Sequence, residues 1–346
     1  MEALWYVFLV ALFGGYVLLG GADVGVGILF PWASRSESER RALRRVVGPV
    51  WSGNEVWLIA GGGVLFFAFP KAYASACSGF YLALMILLWV LVFRGLSLEV
   101  RFSIDHTLWW AFWDAVFFLS STAIAVLLGA LLGNLIQSVP LDGSGQFFLP
   151  LWSYFLPGTG RGMLDGYSLL FSALSVTALT VHGAFLTTAK TTGDLRRRAR
   201  AIAAQGLKGL AILGACCTFL GPIVQPELLR AYTRTPLALG LPLSALLCFS
   251  AMVYSLRKQR DQGAFLASSL FLLAALGATA FGLFPNLLIS SSGPGYSLTA
   301  RNAAASPASL QAGLGWFSVG FFLILCYTTI AHRAFAGRVA SEDQSH

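Results

Sequence analysis

This sequence predicts an all-α polytopic membrane protein with nine transmembrane helices, and three observations carry that reading. Of its 346 residues, 57% are hydrophobic and only 11% are charged, where a soluble domain carries about 25% charged residues. The mean hydropathy is +0.73. The apolar residues fall in long unbroken runs, and a helix needs roughly 20 such residues to cross the hydrocarbon core. A membrane β-barrel would instead alternate over segments of about ten residues. Together these features exclude a soluble globular protein, a disordered chain and a nucleic-acid-binding module.

The first run, Leu4–Pro31, follows Met1, Glu2 and Ala3. It has no basic leading region, is too long for a cleavable signal peptide, and is not followed by a clear cleavage site. It is therefore read as the first span. The others are Val50–Phe69, Ala72–Phe93, Trp109–Ile136, Leu164–Thr187, Ala201–Val224, Pro236–Leu256, Ala264–Pro285 and Leu310–Ala331. The first and fourth, at 28 residues each, are long enough to tilt or to project beyond the bilayer. The loops Gln137–Met163 and Asn286–Ser309 are rich in Gly, Ser and Pro and too short for separate domains. One membrane domain, 1–346, is the expectation.

Loop charge sets the orientation. The net charge is +8, and 18 of the 23 Lys and Arg, counting Lys208 in the first part of span six, lie after spans one, three, five and seven or in the C-terminal tail. The opposite loops hold only Lys71, Arg161, Arg230, Arg234 and Arg301. Basic residues mark the cytoplasmic side, so the N-terminus is expected outside and the C-terminus inside. Contact with anionic membrane lipid is a secondary use of the same charges. The five cysteines form no CxxC and no Cys/His cluster, and they read as small buried hydrophobes.

Ionisable groups inside a span are costly and are functional candidates by default. Four stand out: Asp23, Glu55, Asp114 and His182. With the orientation above, Asp23 lies in the inner third of span one. Glu55 and Asp114 each lie about five residues into their spans, or roughly 8 Å at the helical rise. Ser52 and Glu55 are three residues apart and share a helix face. One reading is a protonatable cluster that takes protons from the cytoplasm. The other is acids near helix ends that snorkel or pair with Arg94 or Arg101. His182 is the single histidine within a span; His106 lies in an inner loop, His332 borders span nine and His346 is terminal. No pair of axial ligands and no metal-ligand constellation is visible, so a hydrogen-bonded structural role is expected for His182. Small residues at Gly20–Gly27 suit close helix packing. Gly61–Gly63 suits either packing or a local unwinding beside a cavity.

Several segments resemble one family. They include Gly21-Ala22-Asp23-Val24-Gly25-Val26-Gly27 and Pro49-Val50-Trp51-Ser52-Gly53-Asn54-Glu55-Val56-Trp57-Leu58-Ile59, the latter followed by Gly61–Gly63 and Phe69-Pro70. Further matches are Phe93-Arg94-Gly95, Glu99-Val100-Arg101, Trp113-Asp114, His182-Gly183-Ala184, Lys190-Thr191-Thr192-Gly193, Phe284-Pro285-Asn286 and Ser297-Leu298-Thr299. The sequence resembles subunit II of the cytochrome bd-type quinol oxidases, from the first helix to the last outer loop. The resemblance implies two four-helix bundles, about 4–136 and 164–285, plus a peripheral ninth helix at about 310–331. It implies a heterodimer with subunit I, which carries haem b, haem d and the quinol site and reduces oxygen to water. This chain is then expected to hold no haem, metal or catalytic residue of its own. A structural quinone and a small accessory membrane subunit are left open. A bacterial inner membrane is the implied location. The family's proposed proton route implies roles for Asp23 and Asp114, with Trp57 nearby. Many members have an acid where this chain has Ser52. Glu55, one turn on, is the residue that could substitute. A hydroxyl relays a proton through water but holds no charge at neutral pH.

Two other classes compete. A secondary transporter often shows inverted repeats and helices broken at mid-membrane, whereas here the acids are displaced toward one face. A purely structural membrane subunit would use Asp23 and Asp114 for helix packing alone.

Overall fold

The computed structural model describes residues 1–153 and 162–339; Arg161 and His346 lie outside the described residues. Twelve α-helices account for most of the chain. They are α1 (Glu2–Ala33), α2 (Glu37–Val47), α3 (Trp51–Ala68), α4 (Pro70–Gly79), α5 (Tyr81–Glu99), α6 (Thr107–Gln137), α7 (Gly166–Lys190), α8 (Gly193–Val224), α9 (Pro226–Arg234), α10 (Gly240–Arg257), α11 (Asp261–Leu283) and α12 (Pro307–Ala334). Among the described residues, eight helices are long and apolar enough to cross a membrane, and the bent pair α3 and α4 makes nine.

The sequence reading differs from the structure at the third span. The crossing helix starts at Tyr81, not at Ala72, and α4 stands apart from α3 at an angle of 120°. Pro70 is the cause. It has no N–H to continue the ladder of α3, and its fixed φ suits the first position of a new helix, the place it occupies in α4.

The helices pack mainly through α1, α6 and α7. The face of α1 against α7 is backbone on backbone. A Cβ on Gly25 would stand 1.9 Å from the Leu179 carbonyl oxygen, and one on Gly183 would stand 2.3 Å from the Gly25 carbonyl carbon. The predicted small-residue face of span one therefore serves close approach. Around this seam α6 lies on α5 and α7, α7 on α8 and α11, and α10 on α11. Most of α12 is left open, with Trp316 84% exposed. It docks on α1 and α3 through Trp5, whose Nε1 donates to Leu310 O at 3.2 Å, and through Trp57, whose Nε1 donates to Thr328 Oγ1 at 3.2 Å.

At the end of the molecule carrying the basic segments, Ser36 and Glu39 form a capping box that starts α2. The apolar face of α2 (Ala42, Leu43, Val46, Val47) is buried against the helices. At the opposite end the loops are knitted together. β1 (Asn286–Leu288) pairs antiparallel with β2 (Leu298–Thr299). Val139 N donates to Ile289 O at 2.8 Å, Leu149 N to Gly79 O at 2.9 Å and Ala305 N to Ala68 O at 2.9 Å.

Candidate functional site

The intramembrane acids divide between two ion-pair networks, both organised by α5. Arg94 and Arg101 are seven residues apart on α5 and its 3-10 extension (Val100–Ser103), so they share one helix face. Their side chains are 1% and 0% exposed. A buried guanidinium must be paired, and each finds different carboxylates.

Arg94 gathers the first network. Its Nη1 donates to Glu55 Oε1 at 2.9 Å, and its Nη2 is 3.9 Å from Asp23 Oδ2. Asp23 is buried on α1 and accepts from Asn54 Nδ2 at 2.7 Å. Asn54 is the residue before Glu55 on α3, so one turn of α3 supplies both groups. Its Oδ1 meets His332 Nε2 of α12 at 3.2 Å. The Arg94 Nε and Nη2 and the Tyr16 hydroxyl are buried with no protein hydrogen-bond partner. Groups of this kind are usually satisfied by ordered water. Trp57 lies flat on α1, where only Gly15 leaves room for it. Ser52 is exposed on α3 one turn from Glu55.

Asp114 anchors the second network. Arg101 Nε donates to its Oδ1 at 2.7 Å and Arg44 Nη2 to the same oxygen at 2.8 Å. Oδ2 accepts from Arg101 Nη2 at 3.0 Å and from Arg40 Nη1 at 3.2 Å. Arg101 also holds Glu37 in a two-pronged pair, with both bonds at 2.8 Å. The Arg101 hydrogen bond holds the Glu37 carboxyl below the usual carboxylate range, against the opposing effect of partial burial. Arg44 packs over the Phe30 and Phe117 rings, at 5.2 and 5.1 Å from their centroids. Burial pushes its guanidinium down to about 10, which leaves it charged at neutral pH. The two networks touch through α5: Arg44 Nη1 donates to Ser97 O at 2.6 Å, and Ser97 Oγ donates to Arg94 O at 2.6 Å.

The charge balance of the networks differs. In the first, one guanidinium faces two carboxylates, Asp23 and Glu55. In the second, Arg40, Arg44 and Arg101 face Asp114 and Glu37, with Arg41 also on Glu37. The first set is electrically neutral with one added proton; the second already carries excess positive charge.

His182 does not fit a haem. His182 Nδ1 meets Ser268 Oγ at 2.8 Å and Nε2 meets Leu18 O at 2.9 Å. Both ring nitrogens are engaged, so neither offers a lone pair to iron. His106 Nδ1 accepts from Leu108 N at the start of α6. Among the described residues no group of three or more His, Cys, Asp and Glu could hold a metal ion.

The profile of the family described as cytochrome bd terminal oxidase subunit II matches residues 1–335. The chain belongs to this family. A subunit II of a cytochrome bd quinol oxidase is a membrane component of respiratory electron transport. Among its relatives is cytochrome bd ubiquinol oxidase subunit 2 of Bacillus subtilis (strain 168), 32% identical over 90% of this chain and 88% of that one. Cytochrome bd-I ubiquinol oxidase subunit 2 of Escherichia coli (strain K12) is 28% identical over 99% of this chain and 96% of that one. A chain of the bd oxidase structure from Geobacillus thermodenitrificans shares the fold, with a TM-score of 0.71 and 20% identity over 96% of this chain and 98% of that one.

Of the residues singled out for subunit II from sequence, Asp23, Glu55, Trp57 and Ser52 gather on α1 and α3. Asp114 stands in the second network. Sequence reasoning missed Asn54 and His332, and counted Arg44 only as loop charge. A signal existed for Arg44, because the Ser36–Glu39 capping box followed by helical spacing of Leu43, Val46 and Val47 marks an amphipathic helix with Arg44 beside its apolar face.

Proposed function

We propose that this subunit supports a haem-bearing subunit I and supplies the oxidase with a proton-uptake site, built from Asp23 and Glu55 around Arg94. The charge count carries the reading: two carboxylates share one buried guanidinium, so the set balances when it holds one proton. The unpartnered donors of Arg94 and Tyr16 beside it are groups that water satisfies, and water is the medium of proton transfer. Ser52 and Trp57 flank this set. Asp114 fixes the Arg44 and Arg101 guanidinium groups beneath it and holds α2 in place.

In this reading electrons come from quinol through subunit I, where haem b and haem d bind, and oxygen is reduced to water. This chain contributes no haem ligand. The basic end faces the cytoplasm of a bacterial inner membrane, with the N-terminus outside. The membrane domain divides into bundles at about 4–136 and 164–285, with the ninth helix at about 310–331 against the first.

The test is made on the purified two-subunit complex. Asp23→Asn and Glu55→Gln are each expected to slow quinol-driven oxygen consumption tenfold or more, about 1.4 kcal/mol of added barrier, at unchanged haem content. Full activity in the double variant would sink the proposal. Reporter fusions at Arg41 and Arg197 should lie inside and one at Gly143 outside.

A further inference from the structure

Asp23 is 1% exposed and Asn54 2% exposed, so Asp23 needs a connection to the basic end. The described contacts of Asp23 and Asn54 lead to one titratable group that is itself partly exposed at the end of a helix. That group is His332, in the last turn of α12.

We infer that His332 collects protons for the Asp23–Glu55 site and is held on it by Asn54. The inference rests on the proton-uptake reading above. Its geometry is a relay of three side chains from three helices. Asn54 turns its Nδ2 donor to Asp23 Oδ2 at 2.7 Å and its Oδ1 to His332 Nε2 at 3.2 Å. An amide oxygen only accepts, so Nε2 carries the hydrogen and Nδ1 is the lone-pair nitrogen of the neutral ring. Taking up a proton at Nδ1 leaves the Nε2–H···Oδ1 bond intact. The imidazole therefore loads and unloads without leaving its place, which suits histidine as a proton shuttle. An amide does not itself pass protons, so Asn54 positions the two ends and the proton crosses from Nδ1 to the Asp23 carboxylate through water. No bond other than to hydrogen is made or broken.

The end of α12 is clamped where this requires it. Lys190 Nζ of α7 donates to Phe335 O, and Val339 N donates to Lys190 O at 2.8 Å. From α7 the charge acting on His332 is Lys190. From α3 it faces Asn54, and behind that lie Asp23 of α1 and Glu55. Arg333 is its neighbour on α12 itself. The assignment gives α12 a purpose, since this mostly exposed helix hydrogen-bonds to Asn54 of the acid site through His332.

The decisive variant is His332→Gln, whose side-chain amide can still donate to Asn54 but carries no titrating proton. In the intact complex its oxygen consumption is expected to fall by about tenfold or more, most severely at alkaline pH where protons are scarce. Added imidazole should restore it, and combining it with Asp23→Asn should give no further loss. Full activity of His332→Gln beside a slow Asp23→Asn overturns this inference and leaves the uptake site standing. Full activity of Asp23→Asn overturns both. A loss equal at every pH, untouched by imidazole and accompanied by haem loss, means that His332 only docks α12 and also overturns the inference.

Discussion

Arg101 and Asp114 meet at 2.7 Å inside the helix bundle, with the guanidinium fully buried and its other edge bound by Glu37. This pair ties α2, the end of α5 and the start of α6 into one joint. Removing one partner of a buried pair leaves an uncompensated charge and costs about 3–5 kcal/mol. Asp114→Asn leaves both Arg101 and Arg44 short of a carboxylate. It is expected to lower the yield and the thermal midpoint of the complex, with activity falling in proportion to haem content. Expression, haem spectra and turnover measured together check this. Normal haem content with slow turnover would instead move Asp114 into the proton route.

Glu37 makes the same joint sensitive to acid. Its folded pKa lies below the ordinary value because of Arg101. A depressed carboxyl contributes stability that is fully present above its unfolded pKa, near 4.5, and that is lost as pH falls through the lower folded value. At pH 7 Glu37→Gln is therefore expected to melt below the parent complex. The gap should close as pH is brought below 4.5 toward the folded value. A gap that widens with acid would show that the pair does not act this way. Melting curves across a pH series give the answer.

The crossing of α1 and α7 sets a steric limit. A methyl group on Gly183 has backbone, not a flexible side chain, 2.3 Å away, so the helices must separate. Overpacking of a core costs about 1–3 kcal/mol, and a backbone obstacle belongs at the upper end. Gly183→Ala should lower the midpoint of thermal unfolding clearly. Gly214→Ala on α8 is the control, because nothing lies within 4 Å of its added methyl. There the gain in helix propensity, about 0.5–1 kcal/mol, should appear unopposed. Equal midpoints for the two variants would remove the steric argument.

The spans were legible because the bilayer dictates their length, and Asp23, Glu55 and Asp114 were legible because a charge within an apolar run stands out. Their partition was not. Arg94 and Arg101 share one face of α5 and its 3-10 extension, and which acid each meets depends on how α1, α3 and α6 pack around α5. All three acids lie toward the same end of their spans, and depth alone suggests one cluster. The charge balance that separates them needs Arg40 and Arg44, delivered by a helix hidden in a basic loop. Asn54 carries no charge to mark it, and His332 sits at the edge of its span. The break at Phe69-Pro70 was visible as a proline, but its angle follows from packing.

The final prediction concerns Ser52. It lies one turn from Glu55 on the same face of α3 and is exposed on this chain, while Glu55 binds Arg94 at 2.9 Å. Glu55→Gln leaves Arg94 facing Asp23 alone, one cation and one anion, a set that is neutral with no added proton. It should therefore be slow. Adding Ser52→Asp returns a second carboxylate to the same face. A hydroxyl could not do this, because it carries no charge at neutral pH. Oxygen consumption of the double variant is expected to recover most of a tenfold loss, about 1.4 kcal/mol of barrier, with haem content level throughout. If the site needs only hydrogen-bonding groups and not a second charge, Glu55→Gln will be fully active by itself. If it needs the Arg94 contact specifically, Ser52→Asp will bring no recovery. Either result would refute the charge-count account of this site.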